Sequence, residues 1–273
     1  MNAWQAWERI ESGPADAARR VLLLPGGMCA AGQYRQLMAE PALAGIRLIA
    51  VTLPGNSGAA APADVSMENF AVLASQCAAD LGCDVVAGFS MGASVALEMA
   101  ASRAFAGPVV LLAPSFSRAD EAKFLGVFDR LSRVLGNLPF AAMIKTLGVA
   151  LRFMPLPGEV RTALAADVRR NDPQAVRRTI RGYFEYLDRH GSVAGRLRDA
   201  GVPAWVVHGQ RGDGGITDAE RATLTSNSQI RIITIPGASY FTPNEEPALV
   251  AGLIIDALAS SRAGAPADEQ GDR

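Results

Sequence analysis

The most constraining feature of this sequence is a series of short apolar runs, each closely followed by glycine or proline, with helical segments between them. Six such runs occur, at residues 21–24, 46–53, 85–87, 109–112, 202–208 and 230–235. They are rich in β-branched residues and lack polar–apolar alternation, which is typical of strands buried on both faces of a parallel sheet. The sequence therefore predicts an α/β fold with a mostly parallel, doubly wound sheet.

The alternation of strands and helices stops in the middle of the chain, where no strand is evident. Asp172 and Pro173 form a good helix start there, and an amphipathic helix is expected to follow. We therefore predict a helical cap inserted into the core domain. The predicted parts are 1–115 for the first part of the core, 116–199 for the cap, 200–261 for the second part of the core and 262–273 for a disordered tail.

Composition and charge narrow the classes of function. The chain has 273 residues, 49% of them hydrophobic, which suits a sizeable core, and its net charge of -1 gives no reason to expect a nucleic-acid partner. Charge is uneven, however, because residues 116–199 hold 15 Lys and Arg against 9 Asp and Glu. This segment is either a basic surface for an acidic or carrier-bound substrate or a set of solvated arginine-rich helices.

Location and partners are predicted from what the sequence lacks. It shows neither a secretory signal nor an apolar stretch long enough to span a membrane, so we expect a cytoplasmic protein with no membrane partner. The three cysteines are an odd number without C-x-x-C spacing, which indicates reduced thiols. There is no metal-ligand cluster and no dinucleotide fingerprint, so no cofactor is predicted. The oligomeric state is not indicated.

The segment Gly88-Phe89-Ser90-Met91-Gly92 has the pattern G-x-S-x-G and lies between a predicted strand and a predicted helix. This setting is that of a nucleophile elbow, a turn so tight that both flanking positions require glycine. The turn holds the serine hydroxyl clear of the sheet, and the N-terminus of the next helix favours negative charge that develops there. We predict that Ser90 is a nucleophile; the alternative is a serine in an ordinary strand-to-helix turn.

Five segments, in the expected order, resemble the α/β-hydrolase superfamily. They are LLLPGG at 22–27, VTLPGNSG at 51–58, GFSMG at 88–92, VVHGQRGD at 206–213 and IPGASYFTPNEEP at 235–247. The resemblance implies an α/β-hydrolase fold in which the N–H of Gly27 or Met28 and that of Met91 bind an oxyanion. It also implies a catalytic acid. Asp213, one residue beyond the usual position, is the first candidate, and Asp120 is an alternative.

The sequence departs from this family at the position of the general base, where Tyr240 stands in place of histidine. The chain has only two histidines, His190 and His208, and neither lies in that segment. Tyrosine ordinarily titrates near pH 10, so only about one phenol in a thousand is ionised at pH 7. Tyr240 is therefore expected to be a poor base at neutral pH and a good hydrogen-bond donor.

Three kinds of function remain open on this sequence. The first is hydrolysis of a small or medium apolar acyl ester or thioester, with a degenerate triad of Ser90, Asp213 and Tyr240. The second is a non-hydrolytic reaction, by a lyase, decarboxylase, isomerase or cyclase, that uses the oxyanion hole and Tyr240. The third is catalytically silent binding of a small apolar molecule in a capped pocket. The cap's large apolar side chains are expected to roof this pocket or to pack the cap helices; they are Phe124, Phe128, Phe140, Met143, Phe153 and Met154.

Overall fold

The computed structural model describes residues 3–154, 156–211 and 215–263, and its core is a seven-stranded sheet. The strands are β1 (Arg9–Ser12), β2 (Arg20–Leu24), β3 (Arg47–Val51), β4 (Val85–Phe89), β5 (Val109–Leu112), β6 (Ala204–Gly209) and β7 (Ile230–Ile235). Their order across the sheet is β1-β3-β2-β4-β5-β6-β7, and only β1 runs antiparallel to its neighbour. The predicted α/β fold with a mostly parallel sheet is confirmed.

Helices cover both faces of the sheet. They are α1 (Arg35–Met38), α2 (Met67–Asp80), α3 (Met91–Ala101), α4 (Lys123–Leu135), α5 (Leu138–Ala150), α6 (Gly158–Arg169), α7 (Pro173–His190), α8 (Ala194–Asp199), α9 (Asp218–Thr225), α10 (Thr242–Glu245) and α11 (Pro247–Ala263). Successive strand residues enter different cores: Leu22 packs with α2, α3, α8 and α9, whereas Leu23 packs with α1 and α11. This burial on both faces explains why the strands read as continuous apolar runs.

The six predicted strands are present with small shifts at their ends, but β1 was not predicted from the sequence. This strand reads Arg-Ile-Glu-Ser and alternates between exposed and partly buried residues. It pairs with β3 only, at the edge of the sheet. An edge strand with one apolar residue buries too little surface to leave a hydrophobic signal in the sequence.

The segment between β5 and β6 holds α4 to α8, and its described residues form no strand longer than an isolated bridge. The predicted helix start is confirmed, because the Asp172 carboxylate accepts the backbone N–H of Ala175 at 2.7 Å and caps α7. Helices α5, α6 and α7 share a hydrophobic cluster with Cys29 of the core, so the cap packs onto the loop that follows β2. Helix α11 extends to Ala263, and residues 264–273 of the predicted tail lie outside the described residues.

Candidate active site

Ser90 lies at the sharp turn between β4 and α3, with backbone angles φ 51° and ψ -117°. A positive φ is uncommon for a residue with a side chain and costs on the order of 1–3 kcal/mol. The flanking glycines make the turn possible. A Cβ on Gly88 would lie 2.1 Å from the carbonyl oxygen of Gly92, and one on Gly92 would lie 2.2 Å from that of Leu24. The glycines are therefore required by close backbone contacts.

Tyr240 contacts this serine directly, because its phenolic hydroxyl donates a hydrogen bond to Ser90 Oγ. Its ring packs edge-on against Phe89, with 5.1 Å between ring centroids, and against Phe241 at 5.4 Å. The half-buried side chain at the position expected for histidine therefore reaches the nucleophile.

The loop that carries Tyr240 is held by a residue that the sequence analysis missed, Glu245. Its carboxylate accepts the backbone N–H of Ser239 at 2.7 Å and that of Phe241 at 3.0 Å, and it also accepts the Ser239 hydroxyl. The end of β6 is also close, because a Cβ on Gly209 would lie 1.9 Å from the Ser239 carbonyl oxygen. An acidic residue in the first turn after a functional loop is a capping signal that could have identified Glu245.

The first candidate acid, Asp213, lies outside the described residues. Two residues before it, Arg211 is hydrogen-bonded to the segment that precedes Tyr240. Its backbone N–H donates to the Ala238 carbonyl at 2.9 Å, and its Nε donates to the Gly237 carbonyl at 2.8 Å. Arg211 thus lies against the loop that carries Tyr240.

The carboxylate of the alternative acid, Asp120, is hydrogen-bonded to backbone N–H groups. Its Oδ2 accepts the N–H groups of Phe116 and Ser117, both at 2.8 Å, at the start of a short 3₁₀ helix. Burial raises the pKa of Asp120 above its ordinary value, and the Glu220 carboxylate acts in the same direction. Asp120 lines the same cavity as Ser90, but its contacts are those of a helix cap.

The backbone N–H groups of the loop after β2 differ in whether they have a hydrogen-bond acceptor. Met28, at φ 66°, donates its N–H to Asn56 Oδ1 at 2.7 Å, and the Gly26 N–H binds Gln33 Oε1 at 2.9 Å. Within the part of the chain that the structure describes, the N–H of Gly27 and that of Met91 have no hydrogen-bond acceptor. These two residues are neighbours, since a Cβ on Gly27 would lie 3.7 Å from the Met91 Cβ. Of the two loop residues predicted, Gly27 therefore offers the free donor.

The cap holds this loop in place through the junction of α6 and α7. Asn171 Nδ2 donates to the Met28 carbonyl at 2.9 Å, and Asn171 Oδ1 accepts the Ser57 N–H at 2.8 Å. Next to it, Asp167 Oδ2 accepts the N–H of Ala30 at 3.1 Å. These hydrogen bonds join the cap to two core loops beside Ser90. Sequence pattern could not reveal them, because the partners lie more than a hundred residues apart.

Ser90 and Tyr240 face a cavity of about 770 Å³ between the core and the cap. Its wall is mainly apolar, and the cap contributes residues that include Met143, Leu147, Met154, Leu164 and Ile180. A polar pair also lines it, since the Tyr183 hydroxyl donates to Glu121 Oε1 at 2.7 Å. Burial raises the pKa of Tyr183 well above its ordinary value, so this phenol stays protonated. The cavity can hold a medium-sized apolar ligand.

Two kinds of catalytic group are missing from the cavity as the described residues form it. Neither histidine lines the cavity, because His208 is buried in β6 and His190 packs on the Tyr186 ring at 5.0 Å. Across the described ranges no cluster of His, Cys, Asp or Glu is suited to hold a metal ion. None of the helices in these ranges combines the length and the hydropathy of a membrane span.

Comparison with known families agrees with this geometry. The model of the alpha/beta hydrolase family matches residues 21–253. The chain belongs to this family. The matched range runs from β2 to α11 and includes the elbow, the cap and the Tyr240 loop. A search of curated proteins finds no match.

Solved structures show the same fold at low sequence identity. A thermophilic esterase from Thermogutta terrifontis is 20% identical, with a TM-score of 0.73 and 93% of each chain covered. MenH from S. aureus is 14% identical, with a TM-score of 0.71, over 94% of this chain and 98% of its own. The thioesterase domain of the curacin biosynthetic pathway is 19% identical, with a TM-score of 0.65, over 90% of this chain and 94% of its own. At these identities the likeness shows the hydrolase fold alone.

The cap contact of this alpha/beta hydrolase can be tested at Asn171. Asn171→Asp keeps an oxygen acceptor for Ser57 but removes the N–H donors that hold the Met28 carbonyl. Because the loop after β2 that carries Gly27 then loses a support, we expect kcat to fall about tenfold while KM changes less. Asn227→Ala is the control, at an exposed asparagine whose side chain donates to the Arg198 carbonyl and accepts the Gln229 N–H. Equal changes in kcat and melting temperature for both variants would contradict a positioning role.

The thiols of this protein are predicted to be unreactive in the folded state. Burial raises the pKa of each of Cys29, Cys77 and Cys83 to about 12, and the nearby Asp167 carboxylate adds to the effect at Cys29. At pH 8 the reactive thiolate is therefore a very small fraction of each group. A disulfide reagent such as DTNB should label none of them quickly in native protein and all three in denaturant. Rapid native labelling of Cys29 would show that the cavity contains a second nucleophile.

Proposed function

We propose that this protein hydrolyses apolar acyl esters or thioesters, with Ser90 as nucleophile and Tyr240 in the role usually taken by histidine. One observation supports this most directly: the Tyr240 hydroxyl is hydrogen-bonded to Ser90 Oγ at the floor of an apolar cavity. Proximity of a proton-transferring group to the nucleophile is the first requirement for its activation.

The acylation step follows from this contact. Ser90 Oγ forms a bond to the acyl carbon while its proton passes to the ionised oxygen of Tyr240. The N–H groups of Gly27 and Met91 receive the oxyanion, since both lack an acceptor among the described residues. When the carbonyl re-forms, the bond to the alcohol or thiol breaks, and the leaving group takes the proton from Tyr240.

Deacylation reverses these roles. Water attacks the acyl carbon and gives its proton to the Tyr240 oxygen, and Ser90 leaves with that proton as the carboxylic acid is released. Both steps require an ionised phenol, which is scarce at neutral pH. The proposed enzyme is therefore slow at pH 7 and faster in alkali.

The pH dependence distinguishes this mechanism from a histidine triad. We expect hydrolysis of a p-nitrophenyl acyl ester to rise about tenfold per pH unit between pH 7 and 9, because the phenolate fraction rises in that proportion. Tyr240→Phe should lower the rate about 10²-fold and remove the slope. Tyr240→His should raise the rate at pH 7 and flatten the profile above it. A Tyr240→Phe variant as active as the wild type would exclude the proposed base.

Covalent labelling tests the nucleophile separately. Folded protein treated with a serine-directed fluorophosphonate should gain one adduct by intact mass, and Ser90→Ala should gain none. Slow labelling that speeds up with pH would agree with activation by a phenol. Folded wild-type protein that resists labelling at pH 9 would leave Ser90 without a nucleophilic role, and tight binding of an acyl ligand without turnover would then indicate a binding protein.

The hydrogen bond between Tyr240 and Ser90 favours a second candidate as well. A phenol is mostly protonated at neutral pH, and a protonated phenol beside two free N–H groups is suited to hold an enolate. Such a site could serve a lyase, decarboxylase, isomerase or cyclase without activation of Ser90. In that case Ser90→Ala would keep activity on such a substrate, whereas Tyr240→Phe would lose it.

A further inference from the structure

The cap carries an unusual share of the molecule's exposed apolar side chains. Within the described residues, eight of the eleven large hydrophobic side chains that are exposed lie between residues 124 and 153. We call these eight the apolar cap surface: Phe124, Val127, Leu131, Val134, Leu135, Leu138, Val149 and Phe153. Val134 is 87% exposed and Phe153 is 82% exposed. Such a concentration of apolar side chains marks an interaction surface.

The spacing on α4 shows that this exposure is organised. Phe124, Val127, Leu131 and Val134 follow one another at intervals of three, four and three residues, and so lie along one face of the helix. A helix of a soluble domain normally buries such a face against its core. Here the same face is about half exposed or more along its whole length.

The opposite face of α4 explains why the helix points this way. Asp129 and Ser132 are buried, and the Arg181 guanidinium of α7 donates to both, at 3.2 Å and 3.0 Å. Arg133 also lies 3.5 Å from the Asp129 carboxylate. Turning the apolar face inward would break this ion pair, in which the Asp129 carboxylate is buried, and such a break is costly. The structure therefore holds the apolar face outward.

The charged side chains on the segment that carries the apolar cap surface are mainly basic. Residues 122–154 contain five exposed basic side chains, Lys123, Arg130, Arg133, Lys145 and Arg152. The one acidic residue of this segment is Asp129, which is buried and paired. Apolar side chains flanked by Lys and Arg are the combination that binds anionic lipid surfaces. A second copy of the chain would instead bring two basic surfaces together, which electrostatic repulsion opposes.

The surface is continuous with the cavity. Phe124 belongs to it and also lines the cavity, together with its neighbours Lys123 and Leu125. We propose that the apolar cap surface docks onto an anionic phospholipid bilayer, from which an apolar acyl compound can enter the cavity. The docking is independent of the chemistry at Ser90, whereas entry of a substrate by this route rests on the proposed function. The proposal departs from the sequence-based expectation of no membrane partner.

Vesicle sedimentation tests the docking. Wild-type protein should sediment with vesicles that contain phosphatidylglycerol, and much less with pure phosphatidylcholine or at high salt. Val134→Glu and Phe153→Glu should each lower the partition coefficient at least about tenfold. Each removes an apolar contact with the bilayer and adds repulsion between the new carboxylate and the anionic lipids. Both side chains are almost fully exposed, so folding should be unaffected. Val72→Glu, the same kind of change on α2 of the core, is the matched control and should bind like the wild type.

Several outcomes would overturn the proposal. They are equal sedimentation with anionic and neutral vesicles, equal losses for Val134→Glu and Val72→Glu, or light scattering that shows a dimer which Val134→Glu converts to a monomer. The last result would make the surface an interface between copies. Ser90→Ala should bind vesicles like the wild type. Vesicle binding without hydrolysis of any acyl ester would therefore refute the proposed function and leave the docking intact.

Discussion

Replacing Ser90 with alanine should lower the hydrolysis of an acyl ester by at least about 10³-fold, because the reaction loses its nucleophile while the cavity and oxyanion donors remain. The loss should be smaller than the roughly 10⁶-fold that follows removal of a serine from an intact triad, since the phenol is a weak base at neutral pH. The measurement is kcat/KM on a p-nitrophenyl ester at pH 9, where the wild type is expected to be most active.

The control for this experiment is Ser94→Ala, one helical turn further along α3. Ser94 is buried, and the substitution removes the same kind of hydroxyl group from the helix that follows the elbow. We expect it to change kcat/KM by less than about threefold, in the range of a modest packing effect. If Ser90→Ala kept a tenth or more of the activity, the nucleophile would lie elsewhere, and the non-hydrolytic alternative would gain support.

Replacing Gly92 with alanine should cost about 3 kcal/mol of unfolding free energy or more, and the variant is expected to fold poorly. The new Cβ would lie 2.2 Å from the Leu24 carbonyl oxygen and 2.6 Å from that of Pro25. These two carbonyl groups cannot move away easily, because they lie at the end of β2, which is paired on both sides with β3 and β4. Urea unfolding followed by circular dichroism would measure the loss.

Gly252→Ala is the matched control for that change. A Cβ at Gly252 would meet no atom within 4 Å, and the residue lies inside α11. Because alanine is a better helix former than glycine, this variant should be unchanged or more stable by up to about 1 kcal/mol. A Gly92→Ala protein that unfolds at the same urea concentration as the wild type would show that the elbow is looser than these contacts require.

The elbow illustrates what sequence pattern captures well. The strand, the G-x-S-x-G turn and the helix are adjacent in the chain, and both glycines are required by contacts that are intrinsic to the turn or to the neighbouring strand. The same holds for the buried strands, since burial on both faces forces a continuous apolar run. The edge strand β1, which has little burial, left no comparable signal.

The candidate site was predicted only in part. The sequence placed Tyr240 at the position of the base, and the structure shows its hydroxyl at Ser90 Oγ. It left Gly27 and Met28 as equal alternatives, because both follow the same strand. The difference arises from Asn56, whose side chain occupies the Met28 N–H. The acid at Asp213 stays a prediction.

The sequence by itself determined the succession of the six buried strands and the helices between them, the tight turn at the serine and the aromatic residue that faces it. These features depend on the conformations that the backbone allows at a tight turn and on the burial of each strand on both faces. Both leave a pattern in residues that are adjacent in the chain. Only the tertiary structure decided which N–H groups are free, how Asn171 joins the cap to the oxyanion loop, and where α4 points. The apolar periodicity of α4 defines a face of the helix but not its direction. That direction is set by the Asp129–Arg181 pair, whose partners lie on different helices and meet only in the folded chain.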